Sequence, residues 1–470
     1  MSVALNTPLR PVPTTDVGKI PDIVDTLRSS FESGHTRSLE WRRDQLKRLR
    51  QMVKDHGDAF VEALAADFGK PEVEARMMDV GQVPIEVGLA LRNLKRWTRP
   101  ERVSGLPFMG RSKIVREPLG VVLIVAPWNY PVGLLLSPLV GAIAAGNCAV
   151  LKPSEVTVHT SALLAKLVRD YLDPAAIALV EGGVDETTAL LEQRWDHIFY
   201  TGGGRVGRLV MKAAAENLTP VTLELGGKSP CIVDAEVDVR VTARRIAWGK
   251  FINAGQTCVA PDYLLVHESR EEELIHELAV AIREFYGDDP LASGDFARLV
   301  DTRHLERVAK LMIGEQVAIG GRVDRDRGSI EPTVLRGVSP DAPIMQEEIF
   351  GPVLPVLTVK GVPEAIDFVN EREKPLALYV FSKDDEAAQE VVERTSSGGV
   401  CVNGTVLQLS NPKLPFGGVG ESGTGAYHGR HSFETFSHRK SVLTRGFGFD
   451  PSLMYPPYKD WKKKLFKRAL

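Results

Sequence analysis

LGVVLIVAPWNYPVGLLLSPLVGAIAAGNCAVLK, running from Leu119 to Lys152, is the stretch that decides the fold. It opens on a short unbroken apolar run, passes through Pro-Trp-Asn-Tyr-Pro, follows a helix-like segment from Leu134 to Gly146 and closes on a second apolar run. Short apolar runs bounded by turn residues read as strands buried on both faces. The alternation then repeats: a helix from Ser154 to Leu172, AIALVEGG, a helix around Thr187 to Gln193, HIFYTGG, a helix from Val206 to Glu216, and VTLELGG. Five β-like runs separated by helices describe a parallel sheet with crossover helices, an α/β architecture. Ligands of such sheets bind beyond the carboxyl ends of the strands. There the chain places Asn129 after the first run, Lys152 after the second, Gly202 to Gly207 after the fourth and Glu224 at the end of the fifth.

Upstream the pattern is helical. Ile20, Val24, Leu27 and Phe31 share one helix face, with Pro21 in the first turn, and a second helix follows Ser38 with Leu46, Leu49 and Val53 on one stripe. Arg42, Arg43, Lys47, Arg48 and Arg50 opposite that stripe read as a solvated face. The first twenty residues, rich in Pro and Thr, read as a flexible arm with no secretory signal core. Downstream, from about Lys228, a second α/β region begins. It has a helix from Val237 to Phe251, the loop NAGQTCVAPDY (Asn253 to Tyr263), a strand to His267 and a charged helix to Tyr286. Later come MQEEIFGP (Met345 to Pro352), LALYVFS, GVCVNGT and the glycine-rich PFGGVGESGTG (Pro415 to Gly425), without internal repeats.

Composition bounds the function. The 470 residues are 43% hydrophobic and 25% charged, enough apolar material for two or three cores. A net charge of -3 gives no electrostatic footprint for nucleic acid. Four scattered cysteines make neither a disulfide framework nor a zinc pattern, so no metal is expected and a reducing, cytoplasmic setting is. No apolar run is long enough to span a bilayer.

Cys148, Cys231 and Cys401 sit in or beside strand-like apolar runs and read as small core hydrophobes. Cys258 stands in a turn-rich loop and does not. Gly202-Gly-Gly-Arg-Val-Gly207 satisfies the dinucleotide pattern G-x-G-x-x-G between a strand and a helix, so helix-terminal amides would receive a pyrophosphate. That template makes Glu224 a ribose ligand; a catalytic role competes, and spacing leaves both open. Together, a thiolate can attack a carbonyl, an Asn amide and a backbone N–H can hold the oxyanion, a nicotinamide can accept hydride, and a carboxylate can activate water.

PWNYP, LKPSE, YTGGGRVG, LELGGKSP, GQTC, QEEIFGPV and PFGGVGESG, in this order, resemble the motifs of the aldehyde dehydrogenase superfamily. QTCVAPDY, REKPLALYVFS and GAYHGRHSFETFSHRKS resemble its class 3 and fatty aldehyde branch, from about Ser38 onward. The resemblance implies that Cys258 is the nucleophile, Glu224 the base, and Asn129 with the Cys258 amide the oxyanion site. It implies that Lys152 and Glu155 hold the adenosine ribose, Glu348 the nicotinamide ribose, with Gly202, Gly203, Gly207, Leu225 and Phe350 also at the cofactor. Glu155 favours NAD over NADP, because a carboxylate repels a 2′-phosphate, while the branch tolerates both. Tyr130 and Phe416 are expected at the aldehyde tunnel, which favours medium or long aliphatic or aromatic aldehydes. Gln408 stands where many relatives carry His, in a segment expected to select the aldehyde.

The implied architecture is the aldehyde dehydrogenase-like fold. A Rossmann-type cofactor domain takes 20–104 and 119–225, an α/β catalytic domain 226–415, a small oligomerisation hairpin with its partner strand 105–118 and 426–450, and a basic tail 451–470. A homodimer is expected from Ser112 to Glu117 and the stretch after His431, which read as edge strands needing cover. The tail KDWKKKLFKRAL sets Trp461, Leu465 and Phe466 among six basic residues and resembles an interfacial amphipathic helix, so peripheral membrane contact competes with a solvated helix. A CoA-acylating dehydrogenase and a non-catalytic protein retaining the fold are the rival functions; Glu224, the water-activating residue, argues against the first.

Overall fold

The computed structural model describes residues 14–105, 110–448 and 450–469; residues 1–13, most of the amino-terminal arm, lie outside the described residues. Four helices come first: α1 (Ile20–Glu32), α2 (Leu39–Asp55), α3 (Gly57–Phe68) and α4 (Gln82–Trp97). Ser38 caps α2 by accepting from the Trp41 N–H, which satisfies one of the orphan donors of a helix start. The basic face of α2 is not wholly solvated. Arg42 is buried and donates to the carbonyls of Thr36, Arg37 and Ala144, so it closes the carboxyl end of the helix Gly133–Ala145. A guanidinium is well suited to that task because its five donors meet several carbonyls at once.

The decisive stretch forms β1 (Val121–Val125), helix α5 (Gly133–Ala145) and β2 (Cys148–Lys152). Alternation continues through α6 (Val158–Tyr171), β3 (Ile177–Leu179), α7 (Val184–Leu191), β4 (His197–Thr201), α8 (Gly204–Glu216) and β5 (Val221–Glu224). All residues of β1, β2 and β4 are buried, as a parallel sheet covered on both faces requires. The order is β5-β4-β1-β2-β3, with the short strand Gly423–Thr424 antiparallel on β5. Register sets Val125 opposite Lys152 and Thr201 opposite Glu224, so the carboxyl ends of the central strands lie side by side.

A second sheet follows, with β6 (Pro230–Val233), helix α9 (Val239–Phe251), β7 (Tyr263–His267), β8 (Gln316–Ile319), β9 (Thr333–Arg336), β10 (Val353–Val359), β11 (Ala377–Phe381) and β12 (Gly399–Val402). Its order is β8-β9-β10-β7-β6-β11-β12, parallel except for β8 against β9. Pro230 pairs with Tyr263, so the turn after Glu224 and the cysteine loop enter neighbouring strands at the same edge. Cys148, Cys231 and Cys401 lie within β2, β6 and β12, and all four cysteines are free.

A smaller unit comprises 98–117 and 438–470. Its three-stranded sheet pairs Glu101–Val103 antiparallel with Arg111–Pro118 and adds Ser437–Thr444. Residues 426–437 belong instead to the larger unit, because Tyr427, Phe433 and Phe436 are buried in its core. The tail forms the helix Asp460–Ala469, anchored by the buried Lys462 ammonium on the carbonyls of Ser452 and Tyr455; Trp461, Leu465 and Phe466 are about half exposed. Among the described residues no helix is long and apolar enough to cross a membrane.

Candidate active site

The cysteine loop leaves α9 through three consecutive left-handed residues, Asn253 (φ 53°), Ala254 (φ 51°) and Gly255 (φ 73°). Such backbone is costly for a non-glycine residue and persists only where surroundings over-determine it. Here the Asn253 N–H donates to Glu74 (2.8 Å), Gln256 Nε2 donates to the carbonyls of Asn253 (2.9 Å) and Arg298 (3.0 Å), and the Val300 N–H donates to Gln256 Oε1 (2.9 Å). A Cβ on Gly255 would stand 2.2 Å from the Gly351 carbonyl oxygen, so glycine is required by contact as well as by φ. The loop thereby sets Cys258, half-buried, at the wall of a cavity lined mostly by apolar groups, among them Tyr130, Leu134, Trp248, Phe416 and Tyr427.

Asn129 follows β1 and is buried. Its Nδ2 donates to the Gln256 carbonyl (3.0 Å), two residues before Cys258, which leaves the second N–H of that amide available. The Tyr130 hydroxyl and the Thr257 hydroxyl are 2.7 Å apart, tying the wall of the cavity to the residue before the thiol. Glu224 is buried with neither carboxylate oxygen hydrogen-bonded among the described residues, and burial pushes its pKa well above the carboxylate range. Burial of this kind favours the neutral acid over the carboxylate. Burial also pushes the Cys258 thiol up, helped by the carboxylates of Glu348 and Glu224 and opposed by the amides of Cys258 and Val259. Burial and both carboxylates favour the neutral thiol over the thiolate.

Glu348 packs so tightly on the turn after β5 that a Cβ on Gly226 would lie 2.2 Å from its carboxylate oxygen. Burial raises its pKa to about 8, with Asp262 adding and the Gly227 N–H, Lys228 and Arg307 opposing. Phe350 adopts φ 46° and meets Trp128 edge-on at 5.3 Å. On the other side, the buried Lys152 ammonium donates to the Pro153 carbonyl (2.7 Å) and lies 3.9 Å from Glu155. Burial lowers the Lys152 pKa, opposed by Glu155 and Glu186.

These residues fit a nicotinamide dinucleotide. Gly203 caps α8 with nothing within 4 Å of the position its Cβ would take, which leaves the helix start open to an anion. The Thr201 hydroxyl beside it is buried without a partner among the described residues, and Lys152 retains donors. Gly207 and Leu225 pack on each other beneath, a Cβ on Gly207 standing 2.8 Å from Leu225. Among the described residues no group of acidic, His or Cys side chains could hold a metal.

Two features escaped the sequence. Gln408 does not face the aldehyde cavity. Its Nε2 donates to the Tyr379 hydroxyl (3.2 Å), and its neighbours Leu407 and Leu409 line the cavity instead, because the residues around it form a short 3-10 turn. The cavity also contains Glu86 and His428, from helix α4 and the segment after PFGGVGESGTG. Glu86 looks from its sequence like one more polar residue of a surface helix, and its only local signal is its place one turn beyond Val83, on that helix's buried face.

The aldehyde dehydrogenase family model matches residues 3–442. "Aldehyde dehydrogenase family 3 member B2" of Mus musculus is 47% identical over 462 residues, 97% of this chain and 96% of that one. "Aldehyde dehydrogenase, dimeric NADP-preferring" of Rattus norvegicus is 47% identical over 445 residues, covering 94% and 98%. A solved structure of the substrate-bound state of Staphylococcus aureus AldH superposes with TM-score 0.93 at 44% identity, over 96% of this chain and 99% of that one.

Glu86 yields a pH prediction. Its buried carboxyl is pushed up to about 7 from 4.5, the Gly429 N–H opposing. Between those values the folded chain holds a proton that the unfolded chain has lost, so the group's stabilisation is whole below pH 4.5 and gone above about 7. Glu86→Gln keeps an acceptor for Gly429 and escapes this loss. Urea unfolding at pH 5 and pH 8 should show the variant gaining roughly 1–3 kcal/mol on the wild type over that interval.

Proposed function

The chain belongs to the aldehyde dehydrogenase family, and from that premise we propose that Cys258, Asn129 and Glu224 carry its chemistry. The protein is an NAD(P)-dependent aldehyde dehydrogenase that oxidises an aldehyde to the carboxylic acid. The observation that carries the assignment is the Cys258 thiol on a cavity wall, with a neighbouring carboxylate whose two oxygens lack partners and an Asn amide with a donor to spare.

Cys258 gives up its thiol proton to solvent, and addition of the resulting Sγ thiolate to the aldehyde carbon forms the C–S bond and moves the C=O electron pair onto oxygen. The free Asn129 N–H and the Cys258 backbone N–H donate to that oxyanion beside a mostly apolar cavity. A bound nicotinamide supplies the hydride acceptor. The thioester left on Cys258 is cut by water whose proton passes to Glu224, and the thiolate departs with the acid released. Glu224 serves only after losing its own proton, and its raised pKa makes the ionised carboxylate a stronger proton acceptor. The mostly apolar cavity supports medium or long aliphatic, or aromatic, aldehydes. The CoA-acylating and non-catalytic alternatives are not favoured.

NAD(P)H formation over an aldehyde panel tests the reading. Cys258→Ala should be silent throughout; Glu224→Gln should keep its pre-steady-state burst while steady turnover falls about 100-fold or more. Undiminished turnover of Glu224→Gln removes Glu224 from the mechanism.

On the cofactor, Glu155, placed near Lys152, supports NAD as the preferred nicotinamide. Glu155→Gln should raise kcat/KM for NADP relative to NAD by roughly tenfold, the effect of removing one repulsive charge pair in a partly solvated site. An unchanged ratio refutes this role.

Exposed strands in the smaller unit and the half-exposed Trp461, Leu465 and Phe466 support a homodimer with peripheral membrane contact through the basic tail. A single-chain mass in solution overturns the first; a chain ending at Tyr458 that floats with anionic vesicles as well as the full chain overturns the second.

A further inference from the structure

Beneath the cysteine loop lies a buried charged cluster that the reaction described above does not use. Lys70 and Asp79 have fully buried side chains, and Lys70 Nζ stands 3.3 Å from Asp79 Oδ2. The same ammonium donates to the Asn129 carbonyl (2.8 Å) and lies 3.9 Å from the centroid of the Tyr130 ring. Asp79 Oδ1 accepts from the Gly133 N–H (2.6 Å) at the start of α5, and Glu74 accepts from the Asn253 N–H (2.8 Å). Asn253 Nδ2 in turn donates to the Asn129 carbonyl (3.1 Å) and to the Gln256 carbonyl (3.1 Å).

A buried ammonium is expensive unless its donors are engaged, and a fold that needed only packing here would place a methionine or leucine. Here one donor of Lys70 pairs with Asp79 and another falls on the Asn129 carbonyl, an element of the site. The Asn129 peptide takes one hydrogen bond from Lys70 and one from Asn253, so the residue that offers its amide is held from both the amino-terminal helices and the cysteine loop. Tyr130, under the same cation, reaches Thr257 beside the thiol. The ten residues Lys70 to Asp79 thus grip both halves of the oxyanion site.

We propose that Lys70 is a positioning residue for that site: its ammonium fixes the Asn129 peptide and the Tyr130 ring, and through them the amide N–H that meets the oxyanion. The proposal rests on the reading of Asn129 as oxyanion donor. Small misplacements of such groups slow chemistry without altering remote binding.

The double substitution Lys70→Met with Asp79→Asn removes cation and counter-charge together and keeps an acceptor for Gly133, so the melting temperature should stay near wild type. The NAD(P)H burst with an aldehyde should slow roughly 10- to 100-fold while cofactor affinity is unchanged. A folded double variant with a wild-type burst overturns the proposal, as does a burst that falls only in step with cofactor affinity. Should the double variant not fold, Lys70→Arg decides: a slowed burst with intact cofactor binding supports the proposal, and a wild-type burst, or loss of fold here too, overturns it. Asn129→Ala run in parallel separates the two readings. If its burst is wild type, the oxyanion assignment itself fails; if its burst is slow while the folded Lys70 variants are normal, only the role of Lys70 fails.

Discussion

Three left-handed residues in a row at Asn253, Ala254 and Gly255 are the constraint on which the site depends. Asparagine tolerates that backbone and glycine is indifferent to it, but Ala254 carries a cost of order 1–3 kcal/mol that some other contact must offset. The offset comes from a closed set of hydrogen bonds through Glu74, Gln256, Arg298 and Val300, and from the close approach of Gly255 to Gly351. Because the turn is held from several directions, the thiol five residues past Asn253 has a defined place. Hydrogen bonds of Asn129 with Asn253 and with the Gln256 carbonyl tie the turn to the end of β1, so the Cys258 thiol and the Asn129 amide are positioned by one network.

Desolvation is the second shared cause. Glu224, Glu348 and Cys258 are all shifted upward with burial as the first reason, and the last two are shifted further by neighbouring acids. Burial therefore favours the uncharged form of each, the thiol over the thiolate and the acid over the carboxylate. Lys152 is shifted the opposite way by the same burial, which fits an ammonium whose donors are kept for a ligand.

Much of this was legible along the chain. Apolar runs revealed β1, β2, β4 and β5, and their carboxyl ends pointed to Asn129, Lys152, Gly202 and Glu224. A parallel sheet makes that inference sound, since strand ends in register are neighbours whatever the loops do. The contest over Glu224 could not be resolved from spacing. Its two unpartnered, buried oxygens beside Cys258 favour the catalytic reading, and Glu155 next to Lys152 takes the place suited to a ribose.

What the sequence by itself determined was the alternation of elements and the family, because those depend on local periodicity and on motifs of adjacent residues. Tertiary structure alone decided which polar residues are buried. Arg42 stands on a helix face that reads as solvated, and Lys70, Asp79 and Glu86 carry no functional signal in the sequence, yet each is buried by packing against segments dozens to hundreds of residues away. The same holds for Gln408, whose side chain turns from the cavity to Tyr379 while Leu407 and Leu409 line it. Burial is a property of what lies across the space between elements, and no local pattern of charges records it.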